Sequence, residues 1–251
     1  MPAIKICWLI MTILLFTGCE RVADFTDGMA RYKIFEIGAT EYELEMSRKD
    51  ISSLERSLAI NIYPMDTQLT GLLRDLSVRD SFPPQAWKEK IMAEFFWLNE
   101  IAVIDKDQNI LSRFPETGIK KLTYEPAFPD VLSLKQGRVM LAVEYSPLGS
   151  EVLLASGVFK EFELTGIIVV GFDPRTFIAQ SKSPQEIILI SANEVVWTGR
   201  FNHLRSNLED INWDDLVSKR VRGKIKLDQD DFFWFARAVG ENWLIYLIKD
   251  N

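Results

Sequence analysis

Ile101-Ala102-Val103-Ile104-Asp105-Lys106-Asp107-Gln108-Asn109-Ile110-Leu111-Ser112-Arg113-Phe114 reads as a strand, a turn and a strand: two apolar runs around five polar residues suited to a turn. The same order returns 86 residues later, where Ile187 to Ile190 and Val195 to Thr198 flank Ser191-Ala192-Asn193-Glu194. The segments downstream of each hairpin also recur. After the first comes a proline- and glycine-bearing stretch, residues 115–138, expected to be a loop with a short helix that caps the sheet. Three β-rich runs come next, Arg138 to Tyr145, Glu151 to Lys160 and Leu164 to Phe172, an arrangement most simply read as an antiparallel meander. After the second hairpin the helical stretch Asn207 to Lys219 precedes Gly223 to Leu227, Phe232 to Val239 and Trp243 to Ile248. Hairpin, connection and three strands thus occur twice, as a repeat of element order and not of side chains. The expected class is α+β, with two five-stranded antiparallel sheets and flanking helices.

Upstream the period changes from two to three and four. Leu44, Ile51, Leu54, Leu58, Ile62, Met65, Leu69, Leu72 and Leu76 fall on one stripe of a long helix. Pro64 removes one backbone donor from it and predicts a kink near Ile60. Asp80-Ser81-Phe82-Pro83-Pro84 ends the pattern. A second helix is expected to begin with Pro84 in its first turn and to carry Trp87, Ile91, Phe95 and Leu98 on one face, ending near Asn99.

The chain starts differently. Lys5 precedes an apolar run from Ile6 to Phe16, 11 residues where a bilayer-spanning helix takes about 20, so an export signal is the better reading. Leu15-Phe16-Thr17-Gly18-Cys19 resembles the bacterial lipoprotein signal, which implies cleavage before Cys19 and lipidation of its thiol; several acyl chains make a stable anchor. That resemblance places the body outside the cytoplasm, in a bacterial cell envelope. Glu20, standing where an inner-membrane retention signal has Asp, points to the outer membrane over the inner.

Composition narrows the function classes. Lys plus Arg number 29 against 36 Asp plus Glu, a formal charge of -7, which speaks against nucleic acid as a partner. Two cysteines, Cys7 and Cys19, allow no disulfide framework or thiolate zinc site. The sole histidine, His203, has no local nucleophile partner, and neither G-x-S-x-G nor a phosphate-loop motif occurs, so no catalytic residue is assigned and no cofactor is expected. Asp105, Asp107, Asn109 and Glu116 stand at calcium-loop spacing, but Ile110 occupies the position that needs Gly, and a hairpin turn explains the same residues. No metal site is therefore assigned. In Phe232-Phe233-Trp234-Phe235, alternation sends Phe233 and Phe235 to one face and Trp234 to the other, which suggests a face left exposed or covered by a partner.

Taken in order, Tyr145-Ser146-Pro147-Leu148-Gly149, Val152 to Val158, Gly166 to Asp173 and Glu241 to Tyr246 resemble the extracellular double Cache sensor domains. In these, two PAS-like modules hang from one long N-terminal helix. The resemblance covers about residues 41–251 and implies a division into 41–98 (helices), 99–182 (membrane-distal module) and 183–251 (membrane-proximal module), after a signal, 1–18, and a tether, 19–40. In the amino-acid-binding members an Arg and cap aromatics hold the ligand carboxylate, and a Tyr with two Asp holds the ammonium. Lys121-Leu122-Thr123-Tyr124-Glu125-Pro126-Ala127 resembles that cap motif with Lys121 at the Arg position, while Tyr145 and Asp173 match; Ser146 replaces the first Asp. The resemblance thus implies a small carboxylate-containing ligand on Lys121, Tyr124, Tyr145 and Asp173. Asp173 before Pro174 also reads as a helix cap.

The leading expectation is a lipid-anchored, non-catalytic ligand-binding sensor. Because the last strand lies close to Asn251, it is expected to signal through a separate membrane or periplasmic protein, with a homodimer surface on the long helix. The competing expectation is an envelope structural or assembly lipoprotein of the same fold without a pocket.

Overall fold

The computed structural model describes residues 53–127 and 137–250. Residues 1–18, the tether and the expected helix start at 41–52 lie outside them, as does most of the second half of the first module's connection. Helix α1 (Ser53–Ser77) runs through Pro64 and buries Ile62, Met65, Leu69, Leu72 and Leu76, the expected stripe. Helix α2 (Gln85–Glu94) starts one residue after the expectation, because Pro84 is its N-cap with extended backbone. It also stops earlier. Phe95 leaves the helical region, and the turn beyond it sends Phe95, Trp97 and Leu98 into the core instead of along a helix face.

Strands β1 (Glu100–Asp105), β2 (Ile110–Phe114), β3 (Val139–Ser146), β4 (Gly149–Lys160) and β5 (Glu163–Phe172) form one antiparallel sheet in the order β2-β1-β5-β4-β3. A short helix α3 (Pro174–Ile178) leads to a second sheet of β6 (Ile187–Ser191), β7 (Glu194–Trp197), β8 (Arg222–Leu227), β9 (Asp230–Val239) and β10 (Asn242–Lys249). Its order, β7-β6-β10-β9-β8, is that of the first sheet, element for element. Helices α4 (Arg205–Glu209) and α5 (Trp213–Lys219) fill the connection between β7 and β8.

The period-two pattern divides each sheet between two cores. Ile101, Ile168, Val170 and Phe172 of the first sheet and Leu189, Phe233, Leu244 and Tyr246 of the second share one cluster with α1 and α2. The opposite face of the second sheet, with Ile190, Phe232, Trp234 and Leu247, packs on Phe201, Trp213 and Val217. Phe233 and Trp234 are therefore both buried within the chain, which corrects the expectation of an uncovered aromatic face: α1 covers one side and α5 the other. The opposite face of the first sheet carries smaller groups, Ala102, Ala142 and Ala155, under Leu122, Tyr124 and Ala127. The two modules meet closely. Asn242 Nδ2 donates to the Leu141 carbonyl at 2.9 Å, and a Cβ on Gly240, which has φ +63°, would collide with the Val139 carbonyl.

Candidate functional site

The face with three alanines ends in charge. Glu100 is in phase with Ala102 on β1, Glu144 with Ala142 on β3, and Glu151 with Leu153 on β4. The register sets Glu144 opposite Glu151, and Glu100 opposite Gly171, with Asp173 just beyond the end of β5. Gly171 matters here: a Cβ would lie 3.3 Å from Glu151 Oε1 and 3.4 Å from Glu100 Cγ, so its absence leaves room for two carboxylates side by side. All four acids are buried. Buried carboxylates need partners, and the segment 115–124 between β2 and β3 supplies most of them.

Lys120, 8% exposed, donates from Nζ to Glu151 Oε2 at 2.7 Å, Asp173 Oδ2 at 2.8 Å and the Ser150 carbonyl at 2.7 Å. Asn99 Nδ2 donates to the other Glu151 oxygen at 2.8 Å. Asp173 Oδ1 accepts from the Arg175 backbone N–H at 2.8 Å and from its Nε at 2.9 Å. Asp173 thus caps α3, as expected, and also belongs to the charged cluster. Glu144 accepts the Thr123 and Tyr124 backbone N–H groups at 2.7 and 2.9 Å. Tyr124 takes φ +61° at this point, and its hydroxyl donates to Glu100 Oε1 at 2.8 Å. The Arg113 guanidinium lies over the Tyr124 ring, 5.3 Å from its centroid, with Nε 3.7 Å from Glu100 Oε2. That Nε is buried and makes no hydrogen bond.

Of the four residues named from sequence, the structure brings Tyr124 and Asp173 to this end of the sheet and leaves two elsewhere. Lys121 is exposed, and its neighbour Lys120 is the lysine that enters. Tyr145 is adjacent to Glu144 and so points to the opposite face; it is 58% exposed, and its hydroxyl pairs with Glu194 of the second module. Glu100, Glu144, Glu151, Lys120, Arg113 and Asn99 were missed. Strand phase gives no signal for the three glutamates: both faces of β1, β3 and β4 are buried, so odd and even positions alike lie inside. Asp105 accepts the backbone N–H groups of Asp107 and Asn109 at 2.9 and 2.8 Å and so closes its hairpin turn. Among the described residues no group of three His, Cys, Asp or Glu side chains could hold a metal ion, and His203 is exposed.

The charges titrate in opposite directions. Burial raises the Glu100 carboxyl above its ordinary value of 4.5, against the opposing Tyr124 hydrogen bond and Arg113 charge. Burial likewise raises Glu151, although Lys120 opposes it. At Asp173 burial acts upward too, but the Arg175 and Lys120 hydrogen bonds outweigh it and hold the group at about 2. For Asp173, stability is lost as pH falls from the ordinary aspartate range towards 2. For Glu100 the folded state binds its proton more readily than the unfolded state, so stability is lost as pH rises from 4.5 through the raised value. Glu100→Gln, which keeps the Tyr124 contact without ionising, is expected to gain in thermal midpoint relative to the parent as pH rises through that window. Parallel melts from about pH 4 to 8 check it; a constant difference would mean that Glu100 does not titrate there.

Among the described residues no helix is long and apolar enough to cross a membrane. No family model matches the sequence, and no curated protein matches it. The fold is similar to that of solved ligand-binding domains. One is an extracellular ligand binding receptor from Desulfohalobium retbaense, 13% identical, with a TM-score of 0.46 over 85% of this chain; the match spans only 39% of that receptor's length. Another is the ligand-binding domain of the amino acid chemoreceptor PctB of Pseudomonas aeruginosa, solved with L-Arg: 12% identity, TM-score 0.49, 79% of this chain and 87% of that one. A third is the corresponding domain of the Pseudomonas fluorescens chemoreceptor CtaA with L-leucine, at 11% identity and TM-score 0.43, covering 76% of this chain and 85% of that one.

Proposed function

We propose that the chain is a double Cache-like, non-catalytic ligand-binding protein of the bacterial cell envelope, tethered through lipid on Cys19 and signalling through a separate membrane or periplasmic protein. The observation that carries this reading is the difference between two sheets of identical strand order. The inner face of the second is filled by Phe201, Trp213, Phe232 and Trp234, whereas that of the first has alanines at three positions and charged groups gathered at one end. Apolar walls with a few convergent polar groups are what orient a small ligand. Binding therefore belongs to the first module, residues 99–182, and the second, 183–251, serves as the relay. Arg113, with its guanidinium facing the Ala102 side and Nε unbonded, is the group that receives a ligand carboxylate, and Tyr124 stacks beside it.

The test is thermal unfolding of the purified full-length protein against small carboxylates, amino acids and amines. A ligand at a hundred times its dissociation constant adds about 2.7 kcal/mol, or about 5–10 °C for a domain of this size. A saturable shift that Arg113→Met abolishes is the expected outcome. No shift across the panel would overturn ligand binding in favour of an envelope structural or assembly protein of the same fold.

A further inference from the structure

An ammonium group has three donors, and each Lys120 donor has found an acceptor: a glutamate, an aspartate and a backbone carbonyl, all within 2.8 Å. The remaining carboxylate oxygens at this end of the sheet are engaged as well. Glu151 Oε1 has Asn99, Asp173 Oδ1 has Arg175, both Glu144 oxygens have backbone N–H groups, and Glu100 Oε1 has Tyr124, with the Arg113 charge 3.7 Å from Oε2. Glu151 and Asp173 are matched in charge by Lys120 and Arg175, so a second cation at these two acids would find their charge already met.

Lys120 itself comes from a segment without regular secondary structure, not from the sheet whose end it occupies. Glu151, Asp173 and Ser150 belong to β4 and the β5–α3 junction, and their positions are set by strand pairing and the α3 cap. The acceptors thus form a cation cage on rigid elements, and the lysine enters it from a connector. A tethered group competes with free ligands at millimolar effective concentration or above without any gain in contact quality.

We infer that Lys120 is a built-in occupant of an ammonium site, so that the ligand of the first module is a carboxylate that carries no ammonium group. This rests on the ligand-binding reading of that module and narrows it. A lysine that served only to hold the fold would leave the choice of ligand unaffected; a built-in occupant decides it.

Two sets of melts on the full-length protein separate the possibilities. In the first, the parent is titrated with butyrate, 2-aminobutyrate and propylammonium at equal ionic strength. Butyrate is expected to raise the midpoint, and the two amines to leave it where sodium chloride does. In the second, Lys120→Ala and Lys120→Met, which vacate the cage to different depths, are titrated with methylammonium, propylammonium and tetramethylammonium. The primary amines are expected to restore about 2–4 °C saturably, and the tetramethyl ion, which has no N–H donor, to restore nothing. Lys120→Met keeps the stem's packing and guards against a Lys120→Ala protein that fails to fold. Stabilisation of the parent by 2-aminobutyrate or propylammonium would overturn the inference. So would folded variants of both kinds that ignore primary amines. If the variants respond to amines but no carboxylate shifts the parent, the cage assignment stands and the ligand-binding function falls.

Discussion

Trp97→Ala is expected to lower the unfolding free energy by about 3–5 kcal/mol, the usual cost of removing a large buried aromatic side chain. Trp97 is 1% exposed and meets three rings edge-on, with centroids at 6.1 Å for Phe95, 5.0 Å for Phe172 and 4.9 Å for Phe177. Its indole N–H donates to Gln68 Oε1 on α1 at 2.6 Å, and its carbonyl accepts from Thr176 on α3 at 3.0 Å. One residue thus joins α1, the exit of α2, the end of β5 and α3. Phe172 immediately precedes Asp173, and Phe177 lies on the helix that Asp173 caps, so the damage reaches the charged end of the sheet. Urea unfolding is the measurement. The midpoint should fall with little change in slope, and Trp97→Phe should lose about half as much or less. A loss below about 1 kcal/mol would show that the four elements are held together elsewhere.

The second large effect concerns the link between α1 and the second sheet. Asp66 takes the Arg237 guanidinium of β9 in a two-pronged pair, with Nε at 2.7 Å from Oδ1 and the other contact from Nη2 to Oδ2. Both side chains are 12% exposed, and the guanidinium also lies 5.9 Å from the Phe235 ring centroid. Losing one member of such a largely buried, two-pronged pair typically costs about 3–5 kcal/mol; replacing both with apolar groups of similar shape is often neutral. Asp66→Ala should therefore destabilise strongly, and Asp66→Leu combined with Arg237→Met should recover most of the loss. If the double variant is as unstable as the sum of the single ones, the cost lies in packing and not in charge, and the pair's role as an electrostatic clasp is wrong.

Much of the architecture was legible because its signals are local. The hairpin pattern at Ile101 and again at Ile187, the β-runs after each, and the Ile62 to Leu76 stripe all reflect side-chain periods of about 2 and 3.6 that need no knowledge of the rest of the molecule. The early end of α2 was not legible. Phe95 and Leu98 continue the helical spacing, and only the demand for Trp97 among Phe95, Phe172 and Phe177 pulls the chain out of the helix.

The site divides along the same line. Asp173 beside Pro174 could be placed from its neighbours alone, since a cap is a contact between adjacent residues. Lys120 and Lys121 could not be told apart, because 115–124 has no period and either lysine can reach a sheet end. Glu100, Glu144 and Glu151 are scattered along the chain and resemble the many surface acids of an acidic protein until strand register sets them side by side around Gly171. Order of elements, strand phase and the cap at Asp173 were thus determined by the amino-acid sequence, through interactions between near neighbours. Which lysine is buried, which acids share its charge and which module keeps small side chains beneath its cap were decided by tertiary structure alone. Burial of a charge is settled by whichever distant groups can compensate it, and that choice exists only once the sheet has closed.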